Sequence, residues 1–262
     1  MPTTAPASFS KLLHDAVNEP GKLSESYRAF HGFSISNRLL AWTQCEQRGL
    51  KPGPLATFNR WREKFGRHVR RGEKALVLCR PMTVKRGSTG DENDDGTSFT
   101  RFVYRPMWFV LAQTEGQPFS EPPTPEWDKD LALAALDISE IPFDALDGNC
   151  LGFARGRGIA INPVNPLPFK TRFHECAHVL LGHTANDIEQ RDGDTMPRKE
   201  RELEAEGVAL LCCAALNLPG ADFSRGYIQS WWGVGNRISE RCAQRILKTA
   251  DQILKAGYSQ SV

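Results

Sequence analysis

Residues 172–183 read RFHECAHVLLGH, and no other stretch constrains the chain as strongly. His174 and His178 lie four residues apart, so on an α-helix they project from one face, one turn from each other. Two imidazoles so placed reach a single Zn2+ at about 2.0–2.1 Å. Glu175 follows the first histidine and stands beside such an ion rather than touching it. There it can accept a proton from water that the metal polarises, the general-base role of an H-E-x-x-H helix. The pattern also has a plain reading: an amphipathic helix that packs Phe173, Ala177, Leu180 and Leu181 inward and leaves its histidines at a rim. A third ligand decides between the two.

His183 falls nine residues after His174, and position 184, where the H-E-x-x-H-x-x-G-x-x-H class places a histidine, holds Thr184. The better source is RKERELEAEGVALLCCAAL (198–216), a strong helix former with glutamates at 200, 202, 204 and 206. On a helix Glu202 and Glu206 share one side, Glu200 and Glu204 nearly the other. Past Glu206 the segment turns apolar, so its second half is buried, and a carboxylate at its entry is either solvated or neutralised by a metal or a partner. Glu202 is the expected third ligand, and helical spacing leaves Glu204 open as the alternative. Glu206 is placed to accept the other ring N–H of a ligating histidine. The short strand GIAINP (158–163) reads either as an exposed edge that pairs with an extended peptide or as an interior strand. Tyr227 or His183 is the candidate donor to an oxyanion; Cys176 reads as packing.

Charge separates the two halves of the chain. Residues 1–120 hold 18 Lys+Arg against 11 Asp+Glu, a net of +7, and residues 121–262 hold 15 against 20, a net of −5. Between Arg48 and Arg86 there are twelve basic residues and two acids, Glu63 and Glu73. Phe58, Trp61 and Phe65 interleave with them. Basic groups that track phosphates, with flat rings for bases, suit single-stranded nucleic acid read without sequence preference. Arg62, Lys64, Arg67, Arg70, Arg71 and Lys74 are the expected backbone contacts, with Trp61 and Phe58 as ring platforms. Trp42, Trp61 and Trp108 also suit a core. No zinc finger or recognition-helix pattern appears, which disfavours sequence-specific duplex reading.

The polar run RGSTGDENDDGTS (86–98) reads as a loop or hairpin tip, and QPFSEPPTPEWDK (117–129), with four prolines, as a semi-rigid linker. Domains are therefore expected at 1–116 and 131–262, joined by 117–130. Helices are predicted around 7–18, 35–49 and 57–65, strands at 75–84 and 98–114, then helices at 169–182, 198–217 and 239–256. The class is α+β, with a mainly helical second half. No run of about 18 apolar residues predicts a membrane span. The N-terminus has no leader pattern, and seven scattered cysteines without C-x-x-C spacing suggest reduced thiols, so a cytoplasmic setting is expected.

FHECAHVLLGH, the later ELEAE, GYIQSWW (226–232) and ISERCAQRILKTADQIL resemble the C-terminal half of ArdC-like antirestriction proteins. GFSISNRLLAWTQCEQRGLKPGPLATFNRWREKFGRHVRRGEKALVLCRP and FVLAQTEG are similar to that family's N-terminal domain, over roughly 8–116 and 150–257 in all. The resemblance implies a single-stranded-DNA-binding domain joined to a zincin-like metallopeptidase domain, carried by mobile elements and shielding incoming DNA. By position it implies metal histidines at His174 and His178, the catalytic glutamate at Glu175, and an E-L-x-A-E match at Glu202–Glu206 that supports Glu202 as ligand. Phe33, Asn37 and Gln44 match the N-terminal motif. One Zn2+ per chain or another divalent metal in its place, single-stranded DNA, an unknown protein substrate and no membrane partner are the expectations. Two other functions compete: a protein that only coats DNA around a structural metal, and a DNA-associated protease that cleaves crosslinked or repressor proteins.

Overall fold

The computed structural model describes residues 7–85, 98–121, 126–145, 150–184, 198–233 and 237–259. The chain forms two compact units, one of Ala29–Phe33 and Leu40–Glu121, the other of Ala7–Arg28, Ser34–Leu39 and Pro122–Val262.

In the first unit, β1 (Leu55–Thr57) and β3 (Leu76–Lys85) flank β4 (Ser98–Val110) in an antiparallel sheet. A two-stranded ladder pairs β2 (Arg67–Val69) with β5 (Thr114–Gly116). Helix α4 (Phe58–Phe65) starts on Thr57, whose hydroxyl accepts from the Arg60 amide, and ends at Gly66, whose φ of 61° turns the chain into β2. Because β1 meets β4 only at residues 108–110, the rest of β3 and β4 forms a two-stranded ribbon. The core gathers Ala56, Trp61, Leu76, Leu78 and Val110 with the apolar face of α3 (Ile35–Arg48), Leu40, Ala41 and Cys45. Gln44 acts as a strand surrogate on the open edge of β3: its Oε1 accepts from the Val77 amide at 2.9 Å and its Nε2 donates to Val77 O at 2.9 Å. That gives one of the motif residues a structural role. The tip predicted at 86–98 lies outside the described residues, except that Ser98 pairs with Lys85.

In the second unit, α6 (Pro168–Leu180) packs against α7 (Arg198–Ala215), which also packs on α8 (Ala221–Gly233) and α9 (Glu240–Ala256). A small sheet runs β6 (Ser139–Glu140), β8 (Gly158–Ile161), β7 (Gly152–Arg155), with β8 parallel to β6 and antiparallel to β7. The exposed-edge reading of GIAINP is thereby corrected. β8 is the central strand, its Gly158, Ile159 and Ala160 are buried, and β7 is an edge. Helix α5 (Lys129–Ala135) begins inside the stretch read as linker, capped by Asp128, whose carboxylate accepts from the Leu131 amide.

The predicted 1–116 boundary differs from this division because α1 (Phe9–Asn18) packs on α9 and α8. The free amides of Phe9 and Ser10 at its N-terminus donate to the Glu240 carboxylate at 2.6 and 2.9 Å, an anion at a helix N-terminus.

Helices α7 and α9 meet closely at Gly207, where an added Cβ would lie 2.9 Å from Ile246 Cδ1 and 3.0 Å from its Cγ2. Ile246 is β-branched and fully buried, so it has no space to yield. Gly207→Ala is expected to destabilise the fold by about 1–3 kcal/mol through overpacking, beyond the gain of roughly 1 kcal/mol in helix propensity. A thermal melt reads this as a lowered Tm.

Candidate metal centre

Helix α6 carries its apolar residues Phe173, Cys176, Ala177 and Val179 into the core, which turns His174 and His178 toward α7. Burial pushes the Cys176 thiol up to about 12, so it is packing. The two Nε2 atoms stand 3.1 Å apart, and Glu202 Oε2 lies 3.3 Å from that of His174 and 3.8 Å from that of His178. Among the described residues, these three side chains place donor atoms within 4.8 Å of one another in an arrangement able to hold a metal ion. Corners of a tetrahedron with bonds of about 2.0–2.1 Å are roughly 3.3 Å apart. Neighbouring corners of an octahedron at similar bond lengths are roughly 3 Å apart. The triangle suits either geometry, so the residues fit a divalent ion without selecting zinc.

The electrostatics favour a cation at this point. Burial disfavours charge on His174, but the Glu202 and Glu206 carboxylates outweigh it and raise its pKa to about 9. Hydrogen bonding to His174 and His178 holds Glu202 well below the usual carboxylate range. Burial opposes charge on Glu206 as well, and His174 with Lys170 overcomes this to hold it at about 2. Glu206 Oε1 lies 3.2 Å from His174 Nδ1, within ion-pair reach though off the line of a ring hydrogen bond, and accepts from Lys170 Nζ at 2.5 Å.

Glu202 and Glu204, inseparable by spacing, separate in space. Glu202 meets the imidazoles. Glu204 is 0 % exposed and accepts from Arg245 Nε at 2.8 Å and Nη2 at 3.0 Å, with His183 Nε2 at 3.1 Å from its Oε2. His183 Nδ1 is 3.0 Å from His178 Nδ1, so both His183 ring nitrogens are engaged and it is unsuited to serve as an oxyanion donor.

Glu175 is buried and borders a cleft of about 230 Å3 with His178, Glu202, Ala154 of β7, Arg198 and Arg201. Burial raises its pKa, against the pull of His174 and His178. Tyr227, on α8, does not line that cleft. Burial, then the Glu202 and Glu206 charges, raises its phenol pKa, which places it in electrostatic range of the same carboxylates.

The expected nucleic-acid contacts divide. Trp61 is 0 % exposed, donates Nε1–H to Phe109 O at 2.9 Å and lies against the Phe65 and Phe119 rings. It is core and presents no face to a base, which corrects its reading as a platform. Arg67 is half-buried and joins β2 to β5 through Thr114 Oγ1 at 2.8 Å, Thr114 O at 3.0 Å and the Gln117 carbonyl. Arg70 bonds Ala112 O at 2.6 Å and Glu73 at 2.9 Å. Both guanidinium groups are therefore engaged by partners inside the unit. Lys64, Arg71 and Lys74 are exposed, as is Arg62, which pairs with Glu63. Phe58 is 50 % exposed. Two rings that sequence reading missed stand out on β4, Phe102 at 62 % and Tyr104 at 37 %. Two residues apart on a strand, they share one face of the ribbon. Their alternation in RFVYRP was the available signal.

Fold and site together define an α+β protein that carries a basic, aromatic-studded unit and a unit with a candidate divalent-metal centre on paired helices. Residues 14–107 match the family described as the N-terminal domain of anti-restriction factor ArdC, and over that stretch the chain is similar to it. The Mn(II)-bound crystal structure of the antirestriction ArdC protein from the R388 plasmid is similar in fold, at 20% identity over 95% of this chain and 96% of that one, with a TM-score of 0.53. For the metal-free structure of the same protein the figures are 20%, 95%, 94% and 0.49. No curated protein sequence matches the chain.

Proposed function

We propose that the protein acts in antirestriction by binding single-stranded DNA through its first unit and hydrolysing peptide bonds at a divalent-metal centre in its second, zincin-like unit. The convergence of His174, His178 and Glu202, with buried Glu175 bordering the same cleft, carries the reading. Binding of Mn(II) by the R388 ArdC protein supports a divalent ion, and a donor set of two imidazoles and one carboxylate suits Zn2+. Such an ion would supply Lewis acidity toward a carbonyl oxygen and make water acidic enough to deprotonate near neutral pH. Glu175 takes up the proton of the attacking water and passes it to the leaving amine; its buried carboxyl, with a raised pKa, is suited to both steps. With His183 engaged on both ring nitrogens, Tyr227, whose phenol is in electrostatic range of Glu202 and Glu206 though outside the cleft lining, is the remaining candidate donor to the oxyanion. Edge strand β7, which contributes Ala154 to the cleft, offers backbone pairing to an extended substrate. No helix among the described residues is long and apolar enough to cross a membrane.

For DNA, Lys64, Arg71, Lys74 and Arg62 would contact phosphates while Phe58, Phe102 and Tyr104 stack on bases. Affinity for a single-stranded oligonucleotide is expected to fall steeply with salt, with a slope of roughly −0.7 per phosphate contacted. Phe102→Ala should weaken binding by about 1–3 kcal/mol and leave that slope unchanged, because it removes stacking and no charge. A fluorescence anisotropy titration across a salt series measures both. Equal affinity for duplex, or no change with Phe102→Ala, would count against this assignment. Elemental analysis of wild type beside His174→Ala tests the metal: bound divalent ion in the first and its loss in the second are expected.

A further inference from the structure

The two imidazoles of the candidate centre are held from behind by different devices. His174 has a carboxylate next to its outer nitrogen, Glu206 at 3.2 Å. His178 has none. Its Nδ1 meets a second imidazole, His183 Nδ1, at 3.0 Å; His183 Nε2 meets Glu204 Oε2 at 3.1 Å; and Glu204, fully buried, is gripped by the Arg245 fork at 2.8 and 3.0 Å. Arg245 Nη2 also donates to Leu181 O at 3.2 Å, which ties α9 to the end of α6 next to His183.

With both rings neutral, one proton order satisfies this chain. Arg245 donates and cannot accept, so Glu204 beside it is a carboxylate and acts as acceptor only. His183 must then donate from Nε2, which leaves Nδ1 of a neutral ring as an acceptor. Across 3.0 Å the donor is therefore His178 Nδ1–H. That assignment leaves the lone pair of His178 on Nε2, the atom that faces His174 Nε2 at 3.1 Å and Glu202 Oε2 at 3.8 Å.

We propose that Arg245, Glu204 and His183 form a positioning relay that fixes the tautomer and ring orientation of His178, so that its Nε2 is presented to a divalent cation. The relay rests on the metal-centre reading above and extends it to three residues outside the ligand set His174, His178 and Glu202. Orienting partners of this kind change metal affinity by about 10–100-fold in other sites.

The test uses the full-length protein, stripped of metal, and compares Zn2+ and Mn2+ dissociation constants by chelator competition with the Tm of the metal-free form. His183→Leu removes the acceptor for His178 Nδ1–H. His183→Asn restores one, since the Asn amide oxygen sits close to the place of the Nδ1 it replaces. Expected are binding about 10–100-fold weaker for His183→Leu and recovery of most of it by His183→Asn, while metal-free Tm falls alike in both. Should His183→Leu not fold, His183→Gln takes its place, because its acceptor lies at the far position and misses His178. Wild-type affinity in His183→Leu, or equal losses in the Leu and Asn variants, overturns the relay and leaves the metal centre standing. A wild-type protein that binds neither ion overturns the metal centre itself, and the relay with it.

Discussion

Glu175→Gln is expected to lower peptide hydrolysis by about 10²–10⁴-fold while the protein still takes up its divalent ion. Gln matches Glu in size and keeps a hydrogen-bonding oxygen, so the buried position beside His178 stays filled. What it lacks is a site for the transferred proton. The carboxyl it replaces is one whose pKa burial has already raised, closer to the operating pH of a base that must accept and then release a proton. The measurement pairs turnover of an unstructured protein substrate, with and without single-stranded DNA, against metal content of the same preparation. Retained turnover would assign the base elsewhere. Loss of the ion together with turnover would place Glu175 among the ligands. Should wild type hydrolyse nothing, with protection of DNA intact in Glu175→Gln and lost when Lys64, Arg71 and Lys74 are neutralised, the coating function is the correct one. DNA-stimulated degradation of a crosslinked protein selects the protease that serves repair or regulation.

How far the sequence reaches into this centre follows the range of the contacts involved. The facing of His174 and His178 is set by a four-residue spacing, a property of the helix alone, and the structure has both on one side of α6. Choosing between Glu202 and Glu204 is different. The choice depends on Arg245, 41 residues beyond Glu204, taking that carboxylate away from the imidazoles. Nothing local encodes such a pairing. The same holds for β8: whether a four-residue strand is central or an edge depends on β6 and β7, and β6 is two residues long. Helix α2 (Lys22–Ala29) went unpredicted because KLSESYRA offers few apolar residues for a periodic stripe, although it buries Leu23 and Tyr27. Helix α8 went unpredicted because ADFSRGYIQSWWG holds two glycines and a cluster of rings, against propensity. Its place beside α7 comes from packing.

The first unit shows why a basic helix with rings on it cannot be divided into core and surface by composition, and Trp61→Ala exposes the difference. That substitution is expected to destabilise the protein by about 3–5 kcal/mol, a large share of the roughly 5–15 kcal/mol that stabilises a typical domain. Trp61 is fully buried, its ring packed at centroid distances of 5.2 Å from Phe65 and 5.6 Å from Phe119, and its indole N–H satisfies Phe109 O inside β4. Truncation leaves a cavity and strands that carbonyl. Single-stranded DNA affinity should fall as well, but only as the folded fraction falls, so at temperatures where the variant remains folded it should bind as wild type does. Phe102→Ala is the mirror case: an exposed ring whose loss should lower affinity and leave unfolding stability within about 0.5 kcal/mol of wild type. Denaturant unfolding beside anisotropy titrations separates the two. A folded Trp61→Ala with specifically weakened binding would mean that the ring leaves the core to meet DNA. In that event the buried arrangement of Trp61, Phe65 and Phe119 would be a closed form of the binding surface.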